Sequence, residues 1–313
     1  MGGSLTSNKG PEMKLGFVSA ILPDLNLDQT LAFAAEQGFT TVEAMCWPVG
    51  AAERRYAGVT HVDVTDFSAK EAEKIKALTA KHGVSLSALG YYPNPLCADE
   101  KEAGVYIAHL KKVISASGTL GLNLVNTFIG RDHTRSLADN WSVFDERWPE
   151  IVRHAESCGV KIAIENCPML FSKDEWPGGK NMAISPKIWR EMFSRISSSS
   201  FGLNYDPSHL VWQFMDPVKP IEEFRERIFH VHAKDLKIWK SRLDDAGILD
   251  FGWNSPKLPG LGDVNWPDFF AALTHIRYRG PVCIEVEDAA YESTLEDRKR
   301  ALAQSKRFLQ NYL

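Results

Sequence analysis

From Lys14 onwards the chain alternates two patterns of hydrophobic and polar positions. Short runs rich in β-branched and apolar residues occupy positions 14–21 (KLGFVSAI), 41–45 (TVEAM), 84–89 (VSLSAL), 122–128 (LNLVNTF), 160–165 (VKIAIE), 201–206 (FGLNYD), 228–233 (IFHVHA) and 281–286 (PVCIEV). Such runs, bounded by Gly, Pro, Asn or Asp, read as buried strands. Longer segments with helical spacing of apolar residues lie between them, at 27–37, 68–82, about 100–117, 138–157, onward from Pro186, about 218–227, after Pro267 and from about Ser293. Gly38 and Gly83 stand where two of these helices should stop, and Ser68 with Glu71 three residues on has the form of a capping box.

Strict alternation of eight strands and eight helices, with crossovers long enough to hold a helix, implies a parallel sheet. Eight units of roughly 38 residues have the size of a (β/α)8 barrel, so the predicted fold class is α/β, a single-domain TIM barrel. A doubly wound sheet would carry a glycine-rich phosphate loop after its first strand. No GxGxxG follows any strand here, and the first run leads into residues 20–23 (AILP) instead. Two stretches break the alternation. Residues 1–12 have no apolar core and are expected to form a flexible extension ahead of a barrel over 13–313. Residues 236–265 carry Gly, Pro and two Trp, and are expected to form a long irregular loop after strand seven, where barrel enzymes place lids and binding loops.

Composition narrows the function. Lys and Arg total 36 against 40 Asp and Glu, a formal charge of −4, which excludes a basic nucleic-acid footprint over the whole chain. No apolar run approaches the roughly 18 residues of a membrane span. Five Cys without a CxxC pair read as reduced thiols, hence a cytoplasmic protein.

In a TIM barrel the active site lies at the C-terminal ends of the strands. The last four predicted strands end in Glu165, Asp206, His232 and Glu285, at spacings of 41, 26 and 53 residues, so each falls on a neighbouring strand. A charged or imidazole group ending a buried apolar strand is costly unless paired or bound to a metal. Three carboxylates and one imidazole form a hard, oxygen-rich donor set suited to one divalent cation, Mn²⁺ first, with Mg²⁺ or Co²⁺ as alternatives.

The segments IAIENCP (162–168), NYDPSHL (204–210), HVHAKD (230–235), GLGDVNW (260–266) and IEVED (284–288) resemble the xylose-isomerase-like barrel superfamily of sugar isomerases and epimerases, over essentially residues 13–313. The resemblance implies that Glu165, Asp206, His232 and Glu285 bind the metal and that His209 contacts a substrate oxygen. It also implies that Glu165 and Glu285 act as acid and base, as in ketose 3-epimerases. Those epimerases carry a further Glu and Arg where this chain has Phe171 and Ile238. The function implied is a metal-dependent isomerase or epimerase of a keto-sugar through proton abstraction beside the carbonyl. The alternative is a lyase or dehydratase that loses water or an aglycone from an oxo-sugar by β-elimination. The resemblance further implies a homo-oligomer and, for the lyase branch, a small second subunit.

Other residues near the predicted rim carry candidate chemistry. In FIGRDH (128–133), His133 is a candidate second base or acid and Arg131 a candidate oxyanion contact, with a solvated loop as the alternative. Lys234 either polarises a substrate oxygen or forms a structural ion pair. Tyr92 and Trp47 offer aromatic faces to a sugar or aglycone, or pack as core, and Trp176, Trp212, Trp239 and Trp253 fall near the same rim. Glu43 resembles a family position that supports the site from below, and a buried ion pair is the alternative.

Overall fold

The computed structural model describes residues 13–50, 57–170 and 179–313. Eight parallel strands close into a barrel: β1 (Lys14–Val18), β2 (Thr41–Met45), β3 (Ser85–Gly90), β4 (Leu124–Thr127), β5 (Lys161–Glu165), β6 (Phe201–Tyr205), β7 (Ile228–Ala233) and, after an inserted hairpin, β10 (Pro281–Ile284), which pairs with both β7 and β1. Helices α1 (Leu27–Glu36), α2 (Ala69–His82), α3 (Glu100–Leu120), α4 (Leu137–Ser157), α5 (Pro186–Arg195), α9 (Trp266–His275) and α10 (Leu295–Leu309) connect them. Among the described residues, no helix is long and apolar enough to cross a membrane.

Each strand is buried on both faces, as a barrel requires. On β5, Ile162 and Ile164 join the large core between sheet and helices, while Ala163 belongs to a small cluster with Ala88 and Leu124 inside the barrel. The period of two therefore aims Glu165 inward as well. By the same alternation Leu203 and Tyr205 face out and Asp206 in, Val231 and Ala233 out and His232 in, and Val282, Ile284 and Val286 out and Glu285 in.

Four expectations are corrected. The segment around 218–227 holds only a single turn, α7 (Pro220–Glu223), because Pro220 sets the helix start and β7 begins at Ile228; a second short helix, α6 (Ser208–Val211), follows Asp206 directly. Residues 236–265 are not irregular. β8 (Asp235–Ile238) pairs antiparallel with β9 (Asn254–Lys257), with α8 (Lys240–Ala246) between them. Ser68 caps no backbone group, since its hydroxyl donates to the Glu71 carboxylate instead, and the complete capping box lies at Asn26 and Gln29. The fourth correction, His133, concerns the site and is given below. Residues 1–12 lie outside the described residues.

Asp235 ties the hairpin to the barrel. Its buried carboxylate accepts from the backbone N–H of Leu236 (2.8 Å), Gly260 (2.9 Å) and Val264 (3.0 Å) and from the Trp266 indole (2.8 Å). Gly262 is required here, because a Cβ would overlap the same carboxylate. The GLGDVNW segment thus wraps an acidic side chain and brings α9 to its start. Replacing Asp235 by Ala strands several buried donors, and urea unfolding is expected to show a loss of about 3 kcal/mol. A loss below about 1 kcal/mol would mean the segment is held by other contacts.

Candidate metal centre

Asn side chains fix the strand ends before any chemistry is considered. Asn166 Nδ2 donates to the Asp206 carbonyl (2.9 Å) and its Oδ1 accepts from Asp206 N–H (2.8 Å), locking the end of β5 to the end of β6. Asn181 Nδ2 donates to the carbonyls of Glu165 (3.0 Å) and Cys167 (2.6 Å). Asp206 is followed at once by α6, whose Ser208 N–H donates to its Oδ1 (2.8 Å), leaving Oδ2 facing the barrel axis.

Three of the four predicted ligands, Glu165, Asp206 and Glu285, come together with His209, and His232 stands beside two of them. His232 Nδ1 stands 3.7 Å from Glu165 Oε1 and 3.6 Å from Glu285 Oε2. Its Nε2 donates to Glu43 Oε2 (2.7 Å), and Glu43, fully buried on β2, also accepts from Asn126 Nδ2 (2.9 Å) and from the Tyr92 hydroxyl. His209, on α6, places Nε2 3.3 Å from Glu165 Oε1 and 3.5 Å from Asp206 Oδ2. Donor atoms of Glu165, Asp206, His209 and Glu285 all lie within 4.8 Å of one another. Lys234, the next inward position on β7, reaches Glu285 Oε2 (2.6 Å), Glu287 Oε2 (3.1 Å) and Asp206 Oδ2 (3.3 Å).

Burial disfavours every charge in this cluster, so the partners decide the protonation states. For Glu165, burial and the Glu285 charge oppose ionisation, but the imidazoles of His209 and His232 close beside it prevail and hold its carboxyl at about 2. Glu285 is held low against burial by Lys234 and then His232. Asp206 is raised, since burial outweighs the opposing charges of Lys234 and His209. Burial also disfavours the cations, yet Glu43 keeps His232 well above its usual value and Glu285 does the same for Lys234.

The donor set fits a divalent cation. Asp206 Oδ2, His232 Nδ1 and His209 Nε2 are all buried and none has a well-aligned hydrogen bond. These atoms meet their neighbours only at ion-pair distances of 3.3 to 3.7 Å, the spacing a cation between them would close into direct bonds. Because Nε2 of His232 is committed to Glu43, Nδ1 is the nitrogen left to coordinate, the carboxylate–histidine arrangement common at metal sites.

The rest of the rim divides in two. Val18, Met45, Tyr92, Phe128, Met169 and Cys283 form a separate apolar cluster, with Trp47 and Cys167 packed against it. Tyr92 joins the two parts, since its ring packs in this cluster while its hydroxyl donates to Glu43. Arg131 is half-buried, its backbone held by both groups of the Asn94 amide. His133 is exposed beside Asp132 on the loop after β4 and joins none of the contacts described for the cluster, because that loop turns on Asp132 and Asn140 and carries its imidazole outward. Ile238 lies on the hairpin strand β8, and Phe171 and Trp176 lie outside the described residues. Sequence reasoning left Glu43 undecided and missed Cys167 and Glu287. Each sits two residues beyond a predicted ligand, and that spacing was the available signal.

A family model described as "Xylose isomerase-like TIM barrel" matches residues 31–312. The protein YfiH of Bacillus subtilis is 26% identical over 335 aligned positions, covering 93% of this chain and all of the relative. An inosose dehydratase of Clostridium tetani is 30% identical over 159 residues, 49% of this chain and 51% of that protein. Among solved structures, an IOLI protein with a bound zinc atom superposes with a TM-score of 0.70 at 19% identity, covering 96% of this chain and 99% of the other.

The Glu43 contact yields a direct test. Glu43→Gln keeps the shape but removes the charge that fixes His232, and Mn²⁺ affinity measured by calorimetry is expected to fall tenfold to a hundredfold with unfolding little changed. Unaltered affinity would show that Glu43 serves packing alone.

Proposed function

We propose that this chain, which belongs to the xylose isomerase-like TIM-barrel family, is a divalent-metal-dependent isomerase or epimerase of a keto-sugar. The observation that carries the reading is the set of buried atoms from Asp206, His209 and His232, none with a well-aligned hydrogen bond, beside the carboxylates of Glu165 and Glu285. Glu165, Asp206, His232 and Glu285 would hold the cation. When bound, it polarises the substrate carbonyl and stabilises the negative charge that develops as the adjacent carbon loses its proton.

The chain's own residues do the remainder. Glu165 turns Oε1 and Glu285 turns Oε2 towards His232, which leaves Oε2 of Glu165 and Oε1 of Glu285 for substrate protons. One carboxylate takes the proton and the other returns it, on the far face for an epimerisation. His209 donates to a substrate hydroxyl, and Lys234, steadied by Glu287, supports the developing oxyanion. The apolar cluster, with Tyr92 and Trp47, covers the C–H face of the sugar.

A second reading, a dehydratase acting through the same first step, is favoured by the likeness to an inosose dehydratase. It needs a proton donor for the leaving hydroxyl. Among the described residues, Lys234 and His209 sit within the cluster where such a donor must stand, whereas His133 is exposed.

Proton NMR in D₂O separates the readings, using the metal-loaded protein with free ketoses, an inosose and 3-oxo-glucosides. Deuterium beside the carbonyl with all substituents retained is the expected result; loss of water or aglycone would establish the lyase instead. Glu165→Gln and Glu285→Gln are each expected to slow turnover by ~10²- to 10⁴-fold with the fold intact. Chelation is expected to abolish activity and Mn²⁺, Co²⁺ or Mg²⁺ to restore it; near-normal rates in both variants would remove these carboxylates from the mechanism.

A further inference from the structure

We infer that Cys167, with His209 and Glu165, forms a second, thiophilic cation position beside the four-ligand centre, borrowing Glu165 and His209 from that cluster and adding the thiol. The inference rests on the proposed function in those two residues. Donor atoms of Glu165, Cys167 and His209 lie within 4.8 Å of one another, and Cys167 groups with these two and not with Asp206 or Glu285. The thiol therefore extends the cluster on the side of Glu165 and His209.

The surroundings are prepared for such an ion. His209 is buried, and its Nε2, 3.3 Å from Glu165 Oε1, has no well-aligned hydrogen bond. Asn181 grips the carbonyls of both Glu165 and Cys167, while the residue between them, Asn166, turns its amide away to the Asp206 backbone. The alternation that aims Glu165 inward then aims Cys167 to the same side, and the backbone clamp keeps it there. Cys167 is only half-buried, so an ion reaches it from the mouth.

The donor chemistry differs from that of the first centre. One thiolate, one imidazole and one carboxylate, with a position left open, suit Zn²⁺ over Mn²⁺ or Mg²⁺. Binding converts the Cys167 thiol to thiolate and releases its proton to solvent. It also engages Glu165 and His209, the proposed acid–base carboxylate and the proposed hydroxyl contact. A thiophilic ion at this position therefore occupies the machinery of the first site.

Cobalt reports both sites at once, because Co²⁺ bound to thiolate gives a near-ultraviolet charge-transfer band that oxygen and nitrogen ligands do not. Metal-free full-length protein is titrated with Co²⁺, with bound metal counted by elemental analysis. The expected result is two equivalents, the thiolate band rising with one of them. Cys167→Ser, a near-isosteric change at a half-exposed position, is expected to lose the band and one equivalent while the visible bands of the other cobalt persist. One equivalent without a thiolate band, or a band that survives Cys167→Ser, overturns the inference and leaves the four-ligand reading standing. No bound cobalt at all overturns both. A thiolate band that persists when Asp206→Asn removes the other equivalent supports the second site independently of the first.

Discussion

The hydrogen bond from His232 to Glu43 is the contact on which the centre of this barrel depends. Glu43 has no access to water, and a lone carboxylate at that depth would not remain ionised. His232 Nε2 at 2.7 Å, the Asn126 amide and the Tyr92 hydroxyl together make it tolerable. In return the bond selects which imidazole nitrogen points up, and Nδ1 then stands 3.7 Å from Glu165 Oε1 and 3.6 Å from Glu285 Oε2. The lower layer therefore determines the upper one. His230, one inward position below, remains neutral, because burial drives its value down to about 3 despite the neighbouring Glu43 charge.

Much of this was legible in the sequence because two periodicities agree. Eight apolar runs separated by helical segments specify the barrel, and the period of two within a run specifies which residue faces the axis. Glu165, Asp206, His232 and Glu285 stood out because each interrupts an apolar run at its end. What stayed hidden did so for physical reasons. Glu43 lies in mid-strand, where only the three-dimensional pairing with His232 reveals its partner. Cys167 and Glu287 look like ordinary loop residues until the strand's alternation is carried past its last ladder hydrogen bond. The hairpin of β8 and β9 was obscured because its strands are four residues each and carry Lys, Asn, Ser and Pro rather than β-branched residues.

Asp235 shows how a conspicuous motif residue can be structural. It lies immediately after Lys234 and three residues after His232, and from sequence it belongs with them. Its carboxylate instead turns away from the barrel axis to collect four donors, three of them from residues 260–266. Adjacent residues on a strand face opposite ways, so Lys234 serves the interior and Asp235 serves the insertion. The same tetrapeptide thus couples the position of an inward ammonium to the anchoring of an outer hairpin.

The pairing of charged strand ends with a separate apolar cluster has a stereochemical consequence. A sugar bound as proposed would turn its oxygen-bearing edge to the ends of β5, β6, β7 and β10 and its carbon–hydrogen face to Val18, Met45, Tyr92 and Phe128. Those two demands, together with the barrel axis, define three non-equivalent directions, which is the minimum needed to tell a molecule from its mirror image. In the proposed reaction, handedness would thereby be read from the arrangement of strands, before any bond to hydrogen is broken.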